Sequence, residues 1–318
     1  MYSDDFLYDT EVSNLVTISH SLNEWADNGC GTIYNDFINN NEIIISQKEA
    51  DCISFALNHN VYDKVHGDAV FEKDVIIRGE IKWSSSSDFV IKTAGSIIFE
   101  DSGKIISEKD GNIILKAGIE GSCNDARCPS ITFKGDCARL VFSDTSLSGI
   151  AKLYYNPEKG NESHKFRNPN DYSSFITPTN KFESYMLVNN VYDLQMVNLF
   201  LSANYALSYD IDASITKNWD EGKGFLPLGK ETRSFSGNFD GNGYAISNLF
   251  IDRAGEKNVG LFGFSSGSLF YSNTISDVKM NNCKVTGKVS TNPLVGMSIL
   301  TTFNKIYVDG KSLISDKC

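Results

Sequence analysis

Short apolar runs separated by polar turns dominate the chain from Val75 onward. The runs Phe89-Val90-Ile91, Ile97-Ile98-Phe99, Ile105-Ile106 and Ile113-Ile114-Leu115 recur at steps of eight residues, joined by pieces such as Asp101-Ser102-Gly103 and Lys109-Asp110-Gly111. β-Branched runs bounded by Gly, Asp and Ser predict strands, and their regularity predicts an all-β fold. A step of this size suits a meander of hairpins as well as a coil of parallel strands, so this half leaves the two open.

The C-terminal half chooses between them. Ser247-Asn248-Leu249-Phe250-Ile251-Asp252, Ser276-Asp277-Val278-Lys279-Met280-Asn281 and Asn304-Lys305-Ile306-Tyr307-Val308-Asp309 share one pattern of polar, apolar at alternate positions, then Asp or Asn. Leu249, Val278 and Ile306 are separated by 29 and 28 residues, as are Ile251, Met280 and Val308. An internal period of that length marks a solenoid, because each unit can bury one side of its strand only against the next unit. The expected fold class is all-β, a right-handed parallel β-helix with short helical or loop excursions. Inward residues at alternate positions would form ladders, with coils about 4.8 Å apart and an Asp or Asn after each strand taking the corner. At roughly 20 to 30 residues per coil, the chain after Val75 amounts to about ten coils.

Two segments carry helical signals. Ser46-Gln47-Lys48-Glu49 forms a capping box before Ala50, Ile53 and Leu57, and Leu194, Val197 and Leu201 follow i, i+3, i+7 spacing. Both are too short to be domains and read as caps or corners. Residues 156–185 hold three of the six prolines (Pro157, Pro169 and Pro178) with little periodicity, and mark an excursion or joint. The expected organisation is a cap or partial coil over 1–72, a first β-helical block over 73–155, the excursion over 156–185, and a second block over 186–318.

Composition narrows the function. With 29 Lys plus Arg against 40 Asp plus Glu, a net charge of -11 and no basic block, the chain lacks the clustered cations that displace counterions from nucleic acid. The best membrane-helix candidate, Leu294 to Phe303, falls short of the roughly 20 apolar residues a span requires. The acidic start Met1-Tyr2-Ser3-Asp4-Asp5 does not read as a signal peptide. The seven cysteines (Cys30, Cys52, Cys123, Cys128, Cys137, Cys283 and Cys318) lack the second close Cys/His pair of a zinc site. They read as buried thiols with room for one local disulfide.

Asn204-Tyr205-Ala206-Leu207, Asp210-Ile211-Asp212-Ala213-Ser214, Trp219, Gly224-Phe225-Leu226-Pro227-Leu228-Gly229, Phe235-Ser236-Gly237-Asn238-Phe239-Asp240-Gly241-Asn242-Gly243 and Val259-Gly260-Leu261-Phe262-Gly263 together resemble the GLUG-motif module. That module occurs in filamentous haemagglutinin-like adhesins of bacterial two-partner secretion and in IgA-specific metalloendopeptidases, and the resemblance covers about residues 186 to 310. The first half is more loosely similar to the same exoproteins, through Ala50-Asp51-Cys52-Ile53-Ser54-Phe55-Ala56-Leu57-Asn58, Gly111-Asn112-Ile113-Ile114-Leu115-Lys116-Ala117-Gly118 and Leu153-Tyr154-Tyr155-Asn156-Pro157. The second GLUG-like copy, Pro293-Leu294-Val295-Gly296, is degenerate and lies 33 residues after the first, so one coil should carry a bulge. The resemblance implies a shaft of a longer secreted or surface-held exoprotein, exported with an outer-membrane transporter.

No residue set reads as a catalytic, cofactor or metal site. Gly241-Asn242-Gly243 lacks the Lys-Ser/Thr of a phosphate loop and reads as a turn. Val259-Gly260-Leu261-Phe262-Gly263 reads as a corner whose glycines permit the bend and whose Leu261 and Phe262 fill the core. Asp210, Asp212, Asp220 and Glu221 could bind calcium or act as an acid/base pair, with exposed acids at a coil corner as the favoured reading. His20, His59, His66 and His164 show neither zincin nor triad spacing. Among the aromatics, Tyr154 and Tyr155 alternate across a strand, so one ring should face solvent or the excursion, and an outward row could bind a host-surface glycan or protein. The function expected is a non-enzymatic spacer and adhesive surface, with lateral loops near 156–185 or 215–233 making contacts. The alternatives are a β-helical polysaccharide lyase or hydrolase, for which a groove should gather two or three Asp, Lys or Arg, and a noncatalytic part of a metallopeptidase.

Overall fold

The structure, a computed structural model, describes residues 15–17, 42–47, 50–51, 74–83, 86, 88–100, 102–120, 123, 128–157, 166 and 169–316. The chain divides into two compact units. The first comprises Met1–Ile119, Pro129–Leu153 and Asp171–Glu183, the second Glu120–Cys128, Tyr154–Asn170 and Ser184–Cys318. Both are built of parallel β-solenoid coils, about 7 turns in all. The turns are fewer than the roughly ten expected because most consume more residues than the sequence period indicated.

In the first unit each turn has three strands. Asp74–Ile77, Glu80–Trp83 and Asp88–Thr93 form one turn, and Ile97–Phe99, Lys104–Ser107 and Ile113–Ala117 the next. Ile81 pairs with Ile105 and Phe89 with Ile113, each 24 positions apart. The eight-residue step is thus one third of a turn: runs eight apart lie on successive faces, and runs 24 apart hydrogen-bond. Strand alternation turns Ile113, Leu115 and Ala117 fully inward. Polar side chains pin the register from outside, as when Asp88 Oδ1 accepts from Asn112 N at 2.8 Å and Asn112 Oδ1 accepts from Ile150 N at 3.0 Å. The next turn, through Ile131–Phe133 and Arg139–Phe142, lengthens the Ile97 to Ile131 step to 34 positions.

Of the two helical signals, Gln47, Ala50 and Asp51 are helical, while Ile53 and Leu57 lie outside the described residues. Leu15–Thr17 and Glu42–Ile45 pair in parallel with Asp88–Thr93 and Asp74–Ile77. Within 156–185, Ile176–Thr177 pairs with Arg139–Phe142, while residues 158–165 and 167–168 lie outside the described residues.

In the second unit the turns widen to five strands: Phe239–Asp240, Ala245–Ser247, Phe250–Asp252, Lys257–Val259 and Phe262–Ser266. The next turn repeats them as Asn273–Ser276, Lys279–Asn281, Lys284–Gly287, Val289–Thr291 and Val295–Ile299. Thr301–Asn304, Tyr307–Val308 and Leu313–Asp316 begin another. Asn ladders again hold the corners: Asn204 Oδ1 accepts from Asn238 N at 2.9 Å, and Asn238 Oδ1 from Thr274 N at 2.8 Å.

The register corrects the sequence alignment. Met280 pairs with Val308, 28 positions on, as expected. Ile251, however, pairs with Val285, 34 positions on, and Met280 with Ile246. Leu249 therefore does not stand in the column of Val278 and Ile306; the first alignment step matched strands on different faces. What the aligned segments do share is the corner: Asn248, Asp277 and Lys305 all have left-handed backbones, at φ 59, 54 and 51. Asn248 and Asp277 directly follow Ala245–Ser247 and Asn273–Ser276, and Asn282, at φ 51, follows Lys279–Asn281, so an Asn or Asp after a strand does take these corners, although Asp252, Asn281 and Asp309 are not the residues that do so.

One further expectation changes and another holds in part. Gly260 and Gly263 do not adopt positive φ; a Cβ on Gly260 would stand 2.4 Å from Asn292 O and one on Gly263 2.6 Å from Gly229 O. They are needed because neighbouring backbone comes close, while Leu261 and Phe262 fill the core as expected. Tyr154 and Tyr155 are both buried, so neither ring of the pair faces solvent, but Tyr155 meets the 156–185 segment. The Tyr155 hydroxyl accepts from Asn170 N at 2.9 Å, and Tyr154 donates to Asp240 Oδ2 at 2.7 Å while stacking on Tyr185. Burial raises the Tyr155 phenol to about 12.

The bulge has a definite location. Phe262 pairs with Val295 and Ile275 with Phe303, so the same corner takes 13 positions from Phe262 to Ile275 but 8 from Val295 to Phe303. The later turn closes with Leu300 alone, at φ 52, between Val295–Ile299 and Thr301–Asn304; the earlier one uses residues 267–272. That surplus of five accounts for the 33-residue spacing of the GLUG-like copies against the 28-residue step. It is a projecting turn, not a slip in the ladder.

Candidate interaction surface

The short helix Val191–Met196 and the segment from Ser214 to Arg233, tied to the next coil where Phe225 N donates to Phe250 O and Leu228 N to Leu261 O, form a lateral surface of the second unit. Asn190 caps the helix by accepting from Asp193 N at 2.9 Å, and Leu194, Val197 and Leu201 anchor the segment in the core as their spacing predicts. The helix holds the neighbouring loop through Gln195, whose Nε2 donates to Leu226 O at 2.8 Å and whose Oε1 accepts from Leu226 N at 2.8 Å.

Arg253 fastens that loop from beneath. Its side chain is buried, donates to Asp220 Oδ2 at 2.7 Å, Glu256 Oε1 at 3.0 Å and Phe225 O at 3.2 Å, and so joins the loop to the strand before it. A charge removed from water needs such partners on every side. The result holds Trp219, half-buried, with its ring 5.3 Å from that of Tyr192, which is 55% exposed. Leu226, 50% exposed, extends this apolar surface toward a cleft of about 520 Å³.

The cleft gathers Lys230, Glu231, Arg233, Glu256 and Lys257 around Leu201, Leu226 and Pro227. Three of its charged groups have structural partners. Glu256 pairs with Arg253, Glu231 Oε1 accepts from Asn258 Nδ2 at 2.9 Å, and Arg233 donates to Leu199 O at 2.8 Å.

The other carboxylates singled out by sequence are dispersed in structural roles. Asp210 accepts from Ala245 N, Asp220 pairs with Arg253, and Asp212 accepts from Asn248 Nδ2 and from both groups of Ser214. Those donors, the Asn248 amide first, hold the Asp212 carboxyl below the usual range. Among the described residues no group of three His, Cys, Asp or Glu could hold a metal ion. Gly241-Asn242-Gly243 is the expected turn, with Tyr244 N donating to Gly241 O at 2.9 Å. Cys123 and Cys128 form a disulfide, Cys283 is a buried thiol whose pKa burial raises, and Cys137 is an exposed thiol. Cys30, Cys52, Cys318 and all four histidines lie outside the described residues.

Sequence reasoning expected lateral contacts near 156–185 or 215–233 and, from the 33-residue spacing, a bulge in one coil; it did not place that bulge at 267–272, and it missed Tyr192. Tyr192 carried no signal, since a helical tyrosine reads alike whether it faces in or out.

Compared with known proteins, the chain matches no family model and no solved structure. It is similar to Halomucin of Haloquadratum walsbyi, 40% identical over 119 residues, 36% of this chain and 1% of that protein. It is also similar to a putative Gly-rich membrane protein of Evansella cellulosilytica, 32% identical over 94 residues, 29% of this chain and 11% of that protein. The chain thus spans a small part of the length of either relative. Among the described residues no helix is long and apolar enough to cross a membrane.

Proposed function

We propose that the chain is a non-enzymatic solenoid segment of a longer secreted or surface-held bacterial adhesin, serving as spacer and adhesive surface. It would be exported by two-partner secretion with an outer-membrane transporter as partner. The observation that carries this reading is the exposed Tyr192 ring, 5.3 Å from the half-buried Trp219, on the lateral surface of the second unit. The exposed Tyr192 ring, with the half-buried Trp219 beside it, offers a stacking face to a sugar of a host-surface glycan or to an apolar side chain of a host-surface protein. Parallel ladders supply stiffness, and the name of one relative, a membrane protein, agrees with a surface location.

The test is binding of the purified chain to arrayed glycans and extracellular-matrix proteins, with Tyr192→Ala and Trp219→Ala as variants. Retention that falls at least tenfold in both variants is expected. Equal retention by wild type and variants, or none by any of them, would overturn the reading.

A second reading, a polysaccharide lyase or hydrolase, is favoured by the charged side chains gathered in the cleft. It requires new reducing or unsaturated ends from a polysaccharide, lost in Glu231→Gln and Glu256→Gln.

A further inference from the structure

The turn at 267–272 is the most exposed apolar feature among the described residues. Leu269, Phe270 and Tyr271 are 89%, 88% and 81% exposed, whereas the turn directly above closes the same corner with one residue. Closure therefore does not explain them. Nor is the turn a frayed loop. Ser268 N donates to Tyr271 O at 2.8 Å, and Ser268 Oγ accepts from Tyr271 N at 3.1 Å and Phe270 N at 3.4 Å.

Charge is absent all around it. Residues 258–276 run for 19 positions without Asp, Glu, Lys, Arg or His, and 289–304 do so for 16, in a chain that is 22% charged. The preceding turn adds the uncharged 234–239, and the three segments are stacked through Phe235 with Ser265, Phe239 with Ile275, and Ile275 with Phe303. Beside the tip, Ile299 and Leu300 are half exposed, at 47% and 50%.

We propose that Leu269, Phe270 and Tyr271 form a wedge that enters the interfacial zone of an uncharged lipid bilayer. The tip offers apolar side chains to the acyl boundary and a phenol to the headgroup level, where tyrosine is favoured. The turn's own hydrogen bonds satisfy part of its backbone, which lowers the cost of leaving water. The uncharged flanks can approach the surface without stripping water from ions. A protein pocket is the competing occupant, but the interface residues that most often anchor one, Trp and Arg, are both absent from 258–276 and 289–304. Anionic lipid is disfavoured by the chain's charge of -11.

The experiment is co-sedimentation of the full chain with phosphatidylcholine vesicles, with and without phosphatidylserine, at low and high salt. Wild type is expected to bind phosphatidylcholine with little salt dependence and no gain from phosphatidylserine. The triple variant Leu269→Ser/Phe270→Ser/Tyr271→Ser, all at surface positions, should keep the wild-type melting temperature and lose at least tenfold in partition. Phe270→Trp should show a blue-shifted emission on vesicle addition. Absence of wild-type binding, binding unchanged in the triple variant, or binding only to anionic vesicles would overturn the proposal. So would tip-dependent capture by a host-cell protein without vesicle binding. The tip shares no residue with Tyr192 or Trp219, so failure here leaves the glycan or protein contact standing, and the reverse.

Discussion

Deleting residues 268–272 should leave the second unit folded. The deletion leaves Gly267 as the sole link between Phe262–Ser266 and Asn273–Ser276, as Leu300 is one turn later. Leu300 needs a left-handed backbone at φ 52, and glycine reaches that region without penalty. The contacts that hold the corner all survive: Gly267 N to Ile299 O at 3.0 Å, and Asn273 Nδ2 to Ser265 Oγ at 2.9 Å and Gly237 O at 3.2 Å. Shortening a six-residue link to one recovers closure entropy of order (3/2)RT ln 6, about 1.6 kcal/mol as an upper bound. The expected change is therefore between none and a gain of about 1.5 kcal/mol, or up to roughly 5 °C in melting temperature. Thermal and urea unfolding followed by far-UV circular dichroism reads this directly. A loss of more than about 1 kcal/mol would mean that the five residues are structural and that the register argument is wrong.

Arg253→Met should free the 219–226 loop, costing about 1–2 kcal/mol because the Gly224 and Phe225 carbonyls lose their donor, while the half-exposed Asp220 and Glu256 are left to water; faster hydrogen exchange at Gly224 and Phe225 would show it, and unchanged exchange would count against the anchoring role. Phe262→Ala, at a ring packed 4.8 Å from Phe235 and 5.2 Å from Phe239, should cost about 3–5 kcal/mol in urea unfolding, and a cost under 1 kcal/mol would contradict its place in the core. Asp212→Asn tests the corner ladder through pH. A carboxyl held below its usual value lends stability above about pH 4 that is lost as the pH falls through the lowered value. The melting-temperature gap between wild type and variant should therefore be widest above pH 4 and close in stronger acid; a gap that stays constant with pH would refute the assignment.

The solenoid was legible because period and alternation are local properties of the chain. Phe89, Ile97, Ile105 and Ile113 announce faces by their even spacing, although only the hydrogen-bonded register shows that three of those steps make one turn. The later repeats misled for a related reason. Asn248 and Asp277 both begin corners with left-handed backbones, so their flanking residues look alike while belonging to different faces of a wider turn. Val278 and Ile306 aligned correctly because the turn between them carries no inserted residues. The lateral surface was legible only as a loop rich in turn residues; that Arg253 reaches Asp220 across 33 positions, and so fixes where Trp219 stands, depends on tertiary contacts a linear pattern does not encode.

The projecting tip is defined by two pairings across one corner, Ser266 with Ile299 and Thr274 with Thr302. Cysteine pairs placed at those positions measure both. Ser266→Cys/Ile299→Cys and Thr274→Cys/Thr302→Cys put their Cα atoms one coil rise apart, about 4.8 Å, within the range a disulfide spans. Mild oxidation followed by peptide mapping is expected to recover both cross-links in high yield. Recovery of neither, or of only the pair on one side of the tip, would show that the coils are not stacked in this register.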